Sequence, residues 1–491
     1  MKAGRTIFRV FLFIFIMTAG VYSLPGFETG FTVVAGKDTT EDGSVLVAHS
    51  EADNTNPGFV NMYRVNKMDM NTHKDFIKTF PMLPEAPKKY DFWWIEIPNS
   101  SYGDSYINEN GVVITSNTCI SKEDRSVTVS GGIGIHLRRL VAEQAISARH
   151  AAEIAGQLIQ QIGYQASGRA YVFADASEAW ILHVIQGKHW AAARVPDNKV
   201  VVISNRFVID NVNLEDKRNF MGSSDIIQYA IKRGWYTPKK NGAFNFAAVY
   251  SSAESYNARI NWLRQWRGVS LLSRDRFNPR DMLPFSFVPR YKLKPGDLFT
   301  LLRDHYEETE FAPASDASVS PNQSKYNTIC TEDIRYSFVA HLRDGLPTEF
   351  ANLFWLSLTG PDTNAFSPWY ISVTEPPEGY STGNAEIAFA NHFKYPKSIY
   401  TFNPENAYSY YSRLTTLINQ RYMARYNIAR KEWENFEAFV LKSQRKMEKE
   451  FAYMVKKNKI IALKHISNYV YKMEYRKWFL TSELIGEVSK K

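Results

Sequence analysis

Gly30 to Asn54, GFTVVAGKDTTEDGSVLVAHSEADN, constrains the fold most, because it encodes a hairpin on which the rest of the chain converges. Gly30 to Ala35 is short, apolar and β-branched, Gly36 to Gly43 is a loop of Gly, Asp and Thr, and Ser44 to Ala48 is a second β-branched run. Further along, Phe92 to Ile97 and Gly111 to Thr115 read as strands, the second entered through the turn INENG. Ala170 to Ala174, Ala179 to Val184, His189 to Arg194 and Val200 to Ser204 are short strands separated by DASE, QGK and PDNK, which are tight-turn sequences. Leu137 to Ile162 carries apolar residues at three- and four-residue spacing without proline and predicts one or two amphipathic helices. Helices are also expected over Ser224 to Arg233 and Asn257 to Leu272, and strands over Tyr336 to Leu342 and Ala351 to Leu358. Hairpins rather than β-α-β alternation predict an α+β layered fold with mostly antiparallel sheets.

With 491 residues, 44% apolar, the chain can bury a large core. Its net charge of +9 is concentrated after residue 420, in KSQRKMEKEF and MVKKNKIIALKH, within long charged helices that begin near Asn403. Such runs read as solvated helix faces, with an anionic surface or nucleic acid as the sharper alternative. Lys2, Arg5 and Arg9 precede an apolar block from Val10 to Val21 that is short for a bilayer span, then Ser23. This is the pattern of a secretory signal over residues 1–23 with a mature start at Leu24, or else of an uncleaved anchor. The two cysteines, Cys119 and Cys330, read as buried thiols, although an exported compartment permits a disulfide.

Local motifs narrow the chemistry mainly by exclusion. Gly379-Tyr-Ser-Thr-Gly383 matches G-x-S-x-G, but Pro376 and Pro377 precede it and the strand stops too early for Ser381 to sit on a nucleophile elbow. The sequence has no H-E-x-x-H, no C-x-x-C and no Walker loop, and the ten histidines are scattered, so a metal or nucleotide cofactor is not expected.

Three segments read together are specific: GKDTTEDGSVLVAHSEAD, EAWILHVIQGKHWAAARVPDNKVVVISNRF and YSFVAHLRDGLP. With YINENGVVIT, FWLSLTGPD and PWYISVTEPPEGYSTG, the chain from about Phe31 to Phe402 resembles the dipeptidase A family of cysteine peptidases, relatives of the secernins among the N-terminal-nucleophile hydrolases. The resemblance implies a four-layer α-β-β-α sandwich. It also implies processing that makes a cysteine residue one, whose thiolate attacks a peptide carbonyl while its own α-amine, with a pKa near about 7.7–8.0, moves the proton.

Transferred residue by residue, that cysteine falls on Gly30, which has no side chain to attack with. Thr29, exposed by a cut after Glu28, is a weak substitute, since a one-residue slip turns a side chain to the other face of a strand. Thr32 keeps the face but stands about 6–7 Å further along. The family's acidic turn falls on His49, Ser50, Glu51 and Ala52, with its Asp displaced to Asp53. Asn205 matches an oxyanion-hole asparagine, Asn117 lies near a second such position, and Arg259 matches an arginine facing the substrate. Each also has a plainer reading: Asn205 as a turn cap, Arg259 as a surface ion-pair residue, His49 as a satisfied core histidine.

The expected organisation is a signal peptide (1–23), a hydrolase-like unit (24–402) and a basic helical region (403–491). Two functions remain open: an exported dipeptidase-like hydrolase of short peptides, secreted or periplasmic with possible surface retention, or an inactive relative that binds peptides or carboxylates. Neither needs nucleic acid, a cofactor or a stable membrane span after processing, and the sequence leaves the oligomeric state open.

Overall fold

The structure is a computed structural model and describes residues 28–54, 58–67, 88–125, 127–238, 242–313 and 319–491. The expected signal peptide and the mature start at Leu24 lie outside the described residues, as does the side chain of Thr29.

Among the described residues, fourteen strands form two antiparallel sheets. They are β1 (Glu28–Ala35), β2 (Val45–Asp53), β3 (Asn61–Val65), β4 (Phe92–Glu96), β5 (Ser105–Asn108), β6 (Val113–Thr118), β7 (Tyr164–Ala174), β8 (Ala179–Gly187), β9 (Trp190–Arg194), β10 (Val200–Ile203), β11 (Phe220–Gly222), β12 (Ile334–Leu342), β13 (Asn352–Leu358) and β14 (Ser367–Tyr370). The first sheet has the order β10-β1-β2-β12-β13-β14, and the second runs β11-β9-β8-β7-β6-β5-β4-β3. The opening hairpin therefore supplies two central strands of the first sheet. Its register sets Gly30 opposite Glu51 and Thr32 opposite His49.

Helices α1 (His136–Gln144) and α2 (Ala148–Ile162) cover the second sheet. The predicted single stretch is interrupted at Ala145, which is extended, and restarted by Ser147, whose hydroxyl accepts the His150 N–H at 3.1 Å. Helices α3 (Arg259–Leu272) and α4 (Pro295–Leu302) cover the first sheet. Gly268 lets α3 lie close to that sheet, since a Cβ there would stand 2.9 Å from Phe31 Cζ and 3.0 Å from Val202 Cγ1. Beyond residue 403, α5 (Ala407–Gln420), α6 (Tyr422–Met454) and α7 (Lys459–Val488) extend this outer layer over β13 and β14. Trp433, Phe451, Val470 and Leu484 of these helices share one buried core with Val33 and Phe354 of the sheet. The order of layers is helix, sheet, sheet, helix. The chain is an α+β sandwich of the kind the resemblance implies.

Candidate active site

The face of β1 and β2 carrying Gly30, Thr32, His49 and Glu51 looks toward the second sheet, where Asn117 of β6 meets it. Thr32 Oγ1 donates to Asn117 Oδ1 at 2.7 Å and stands 2.8 Å from His49 Nδ1. His49 Nε2 is 3.1 Å from Glu51 Oε2. Hydroxyl, imidazole and carboxylate thus form a continuous chain, wholly buried. Because the one hydrogen of the Thr32 hydroxyl goes to Asn117, His49 Nδ1 carries the imidazole N–H and donates it to Thr32, which leaves Nε2 unprotonated toward Glu51 in the neutral ring. Burial first, and then the positive charges of Arg138 and Arg169, push the His49 imidazole down to about 3. It is neutral at physiological pH.

Gly30 stands in the middle of this cluster. A Cβ built on it would lie 2.5 Å from Asn117 Nδ2 and 3.3 Å from His49 Cε1. The space a nucleophilic side chain would occupy is filled by an amide. Asn117 Nδ2 itself is buried and makes no hydrogen bond among the described residues. This unspent donor, aimed at the place where a side chain is missing, is the feature a reacting carbonyl oxygen or a ligand would use.

Asn205 lies just beyond β10 with φ +49°, in the left-handed region that asparagine tolerates. Its Nδ2 donates to the Thr118 carbonyl at 3.2 Å, and its Oδ1 accepts from Arg264 Nη2 at 2.8 Å. Arg264 also donates to Asn261 Oδ1 at 3.0 Å, and burial pulls its guanidinium down to about 10. The next residue, Arg206, donates to Gln265 Oε1 at 2.7 Å and lies 4.1 Å over the Trp262 ring. Burial pulls it, too, down to about 10. Neither Arg206 nor Arg264 has a carboxylate partner among the described residues. Arg206, Tyr256, Trp262, Gln265 and Phe277 line a cleft of about 400 Å³.

Asn117, His49, Glu51 and Gly30 thus come together, while Asn205 anchors the neighbouring arginine cluster. Asp53 is buried at the end of β2, where its carbonyl accepts from Arg335 and its N–H donates to the Asp333 carbonyl at 3.1 Å. It is Glu51, not Asp53, that lies opposite Gly30. Arg259 is exposed at the first turn of α3, against the rings of Phe311 and Tyr326 at 5.4 and 5.8 Å. The arginine that meets Asn205 is Arg264, which the sequence reading missed. It lies one turn before Gly268, and that glycine inside an amphipathic helix marks the line facing the sheet. Ser381 sits in a half-buried loop before the helix Ala385–Asn391. Cys119 and Cys330 are both free and buried, and burial raises the Cys119 thiol to about 12.

Comparison with known proteins gives the family. The chain is 25% identical to probable dipeptidase B of Lactococcus lactis over 88% of its length and 91% of that protein's. It is 26% identical to dipeptidase A of Lactobacillus helveticus over 72% of this chain and 77% of the relative. Among solved structures, penicillin V acylase from Agrobacterium tumefaciens shows a likeness at 13% identity and a TM-score of 0.31, covering 70% of this chain and 85% of the acylase. The sequence profile described as Peptidase family C69 matches residues 29–418, most of the chain, and the chain belongs to that family.

Proposed function

We propose that this chain is an exported, dipeptidase-like member of its family that binds short peptides through their carboxylate but lacks the thiol route to hydrolysis, with Gly30 at the family's nucleophile position. The observation that carries this reading is that Gly30 supplies no nucleophile and that the Asn117 amide stands in its place, 2.5 Å from where a Cβ would be. The recognition side is supported by Arg206 and Arg264, two buried cations without a carboxylate partner among the described residues. Holding such charges unpaired is costly, and an incoming carboxylate would offset that cost. The aromatic lining of the adjoining cleft suits the side chain of a small peptide. Export rests on the amino-terminal sequence alone.

A second reading, hydrolysis by a hydroxyl, rests on the proximity of Thr32, His49 and Glu51, and requires Thr32 to turn its O–H from Asn117 to His49, with His49 in the other tautomer. Thr29, if released by cleavage, is the other hydroxyl at this end of β1. One preparation tests all of this: the mature amino terminus by mass spectrometry, dipeptide turnover by product analysis, and dipeptide binding by calorimetry. Binding without turnover, lost when the dipeptide's carboxylate is amidated, is the expected result. Turnover abolished by Thr32→Val or Thr29→Ala would replace it with the hydrolase reading. Absence of both binding and turnover would end both readings.

A further inference from the structure

Three segments outside the candidate active site bring a different set of side chains together. His305 follows α4, Cys330 precedes β12, and Asp362 follows β13. One donor atom of each, an imidazole nitrogen, a thiol sulfur and a carboxylate oxygen, lies within 4.8 Å of the others, and the three residues are 4%, 0% and 0% exposed. His305 Nε2 is 3.7 Å from Asp362 Oδ2. The other ring nitrogen, Nδ1, lies 3.3 Å from Glu307 Oε1, the outer carboxylate that commonly orients a metal-bound histidine. Asn322 bridges the pair, with its Oδ1 at 2.9 Å from His305 Nε2 and its Nδ2 donating to Asp362 at 2.8 Å. Tyr422 of α6 donates to the same carboxylate oxygen at 3.1 Å. The second oxygen, Asp362 Oδ1, is buried with no hydrogen-bond partner among the described residues.

A buried carboxylate oxygen without a partner is expensive unless a cation meets it. We propose that His305, Cys330 and Asp362 form a binding site for a zinc-class divalent cation that clips these three segments together. The donors decide the class. One nitrogen, one sulfur and one oxygen suit a borderline ion such as zinc, whereas calcium and magnesium ask for oxygen alone. Bonds of about 2.0–2.3 Å to a tetrahedral ion place donors about 3.3–3.8 Å apart, so the cluster closes by about 1 Å on binding. Binding releases two protons to solvent, that of the thiol and the one His305 Nε2 gives to Asn322 Oδ1, and leaves a neutral imidazole, a thiolate and a carboxylate whose two negative charges the ion balances. Asn322 Oδ1 or a water completes four ligands. Burial of all three residues makes this a structural site rather than a catalytic one.

The full chain, stripped with chelator and titrated with Co²⁺ and then Zn²⁺, tests the assignment. One equivalent of Co²⁺ with thiolate-to-cobalt charge-transfer absorption is expected, displaced by Zn²⁺, together with a melting temperature several degrees higher in zinc than in chelator. Cys330→Ser should abolish the absorption and Asp362→Asn should weaken binding at least tenfold, whereas Cys119→Ser should keep both. The wild-type titration decides the question even if a variant fails to fold. A wild-type chain that binds Co²⁺ only substoichiometrically, shows no thiolate band, or melts alike in zinc and chelator overturns the proposal, and so does a band that survives in folded Cys330→Ser. Peptide binding plays no part in these readouts, so either proposal can fail alone.

Discussion

The two halves of the candidate site are built in opposite ways. Around Gly30 the space is shut, with Asn117 and His49 where a nucleophile would reach and the buried Glu51 carboxylate beside them. Around Asn205 the side chains are long and cationic and border a cleft of about 400 Å³. On the proposed function, turnover needs both halves and recognition only the second. Chemistry and recognition are then held by different elements: β1, β2 and β6 for the first, α3 and the loop after β10 for the second. They can be lost separately.

The largest test of that contrast is pH. His49 in the closed half and His183, packed against Phe207 beneath the open half, are both pushed by burial from 6.5 to about 3. A histidine with a lowered folded value contributes its stability above the unfolded value and loses it as the pH falls. Unfolding free energy should therefore drop between about pH 6.5 and 3, by on the order of 4 kcal/mol for each histidine. His49→Gln and His183→Gln, followed by urea unfolding at a series of pH values, assign the loss to one half or the other. His392 runs the other way: although burial opposes it, the Asp104 and Glu96 carboxylates hold its imidazolium and raise it to about 9. Its contribution is complete below 6.5 and fades as the pH rises through about 9.

Asn205→Ala comes next. It leaves the buried Arg264 with Asn261 as its one amide acceptor among the described residues and should cost about 2–3 kcal/mol in urea unfolding while removing dipeptide binding. Stability and binding both unchanged would break the division of the site into halves. Gly30→Ala forces a methyl against Asn117 Nδ2 and should cost about 1–2 kcal/mol, most of it recovered in the double variant with Asn117→Ala. Additive costs in that cycle would mean the two residues do not compete for one space. The smallest effect belongs to Arg259→Ala, whose exposed side chain only covers Phe311 and Tyr326: within about 0.5 kcal/mol, with dipeptide affinity unaltered.

Hairpins and strands were legible because their signals are local. The runs around GKDTTEDG and PDNK predicted β9 and β10 nearly to the residue and β1 to within two, since turn chemistry acts over a few positions, whereas β2 continues five residues beyond the expected Ala48 to Asp53 through polar positions. β3 and β5 escaped, being four or five residues long in NMYRV and SYIN, too short for a pattern. Gly30 was readable as a missing side chain, but what fills its place was not, because Asn117 reaches it from the other sheet. Arg264 and Arg259 look alike in ARINWLRQWRG, and only the angle around α3 separates a buried arginine from an exposed one. His305, Cys330 and Asp362 were invisible as a set for the same reason. Their meeting depends on where α4, β12 and β13 end, and no spacing rule spans those distances.

The strand order of the first sheet has a consequence for how the molecule is made. β1 and β2 are early in the chain but lie between β10 and β12 under α3 and α4, while α5, α6 and α7 complete the cover over β13 and β14. β1 gains its outer neighbour once Val200–Ile203 is made, β2 gains its own only when Ile334–Leu342 is synthesised, and the sheet has no complete cover until Lys459–Val488 follows. Contact order is high, and folding should be slow and late rather than progressive from the first residues. A ribosome-bound chain stopped before β12 should keep β2 open to protease, and release of the complete chain should close it.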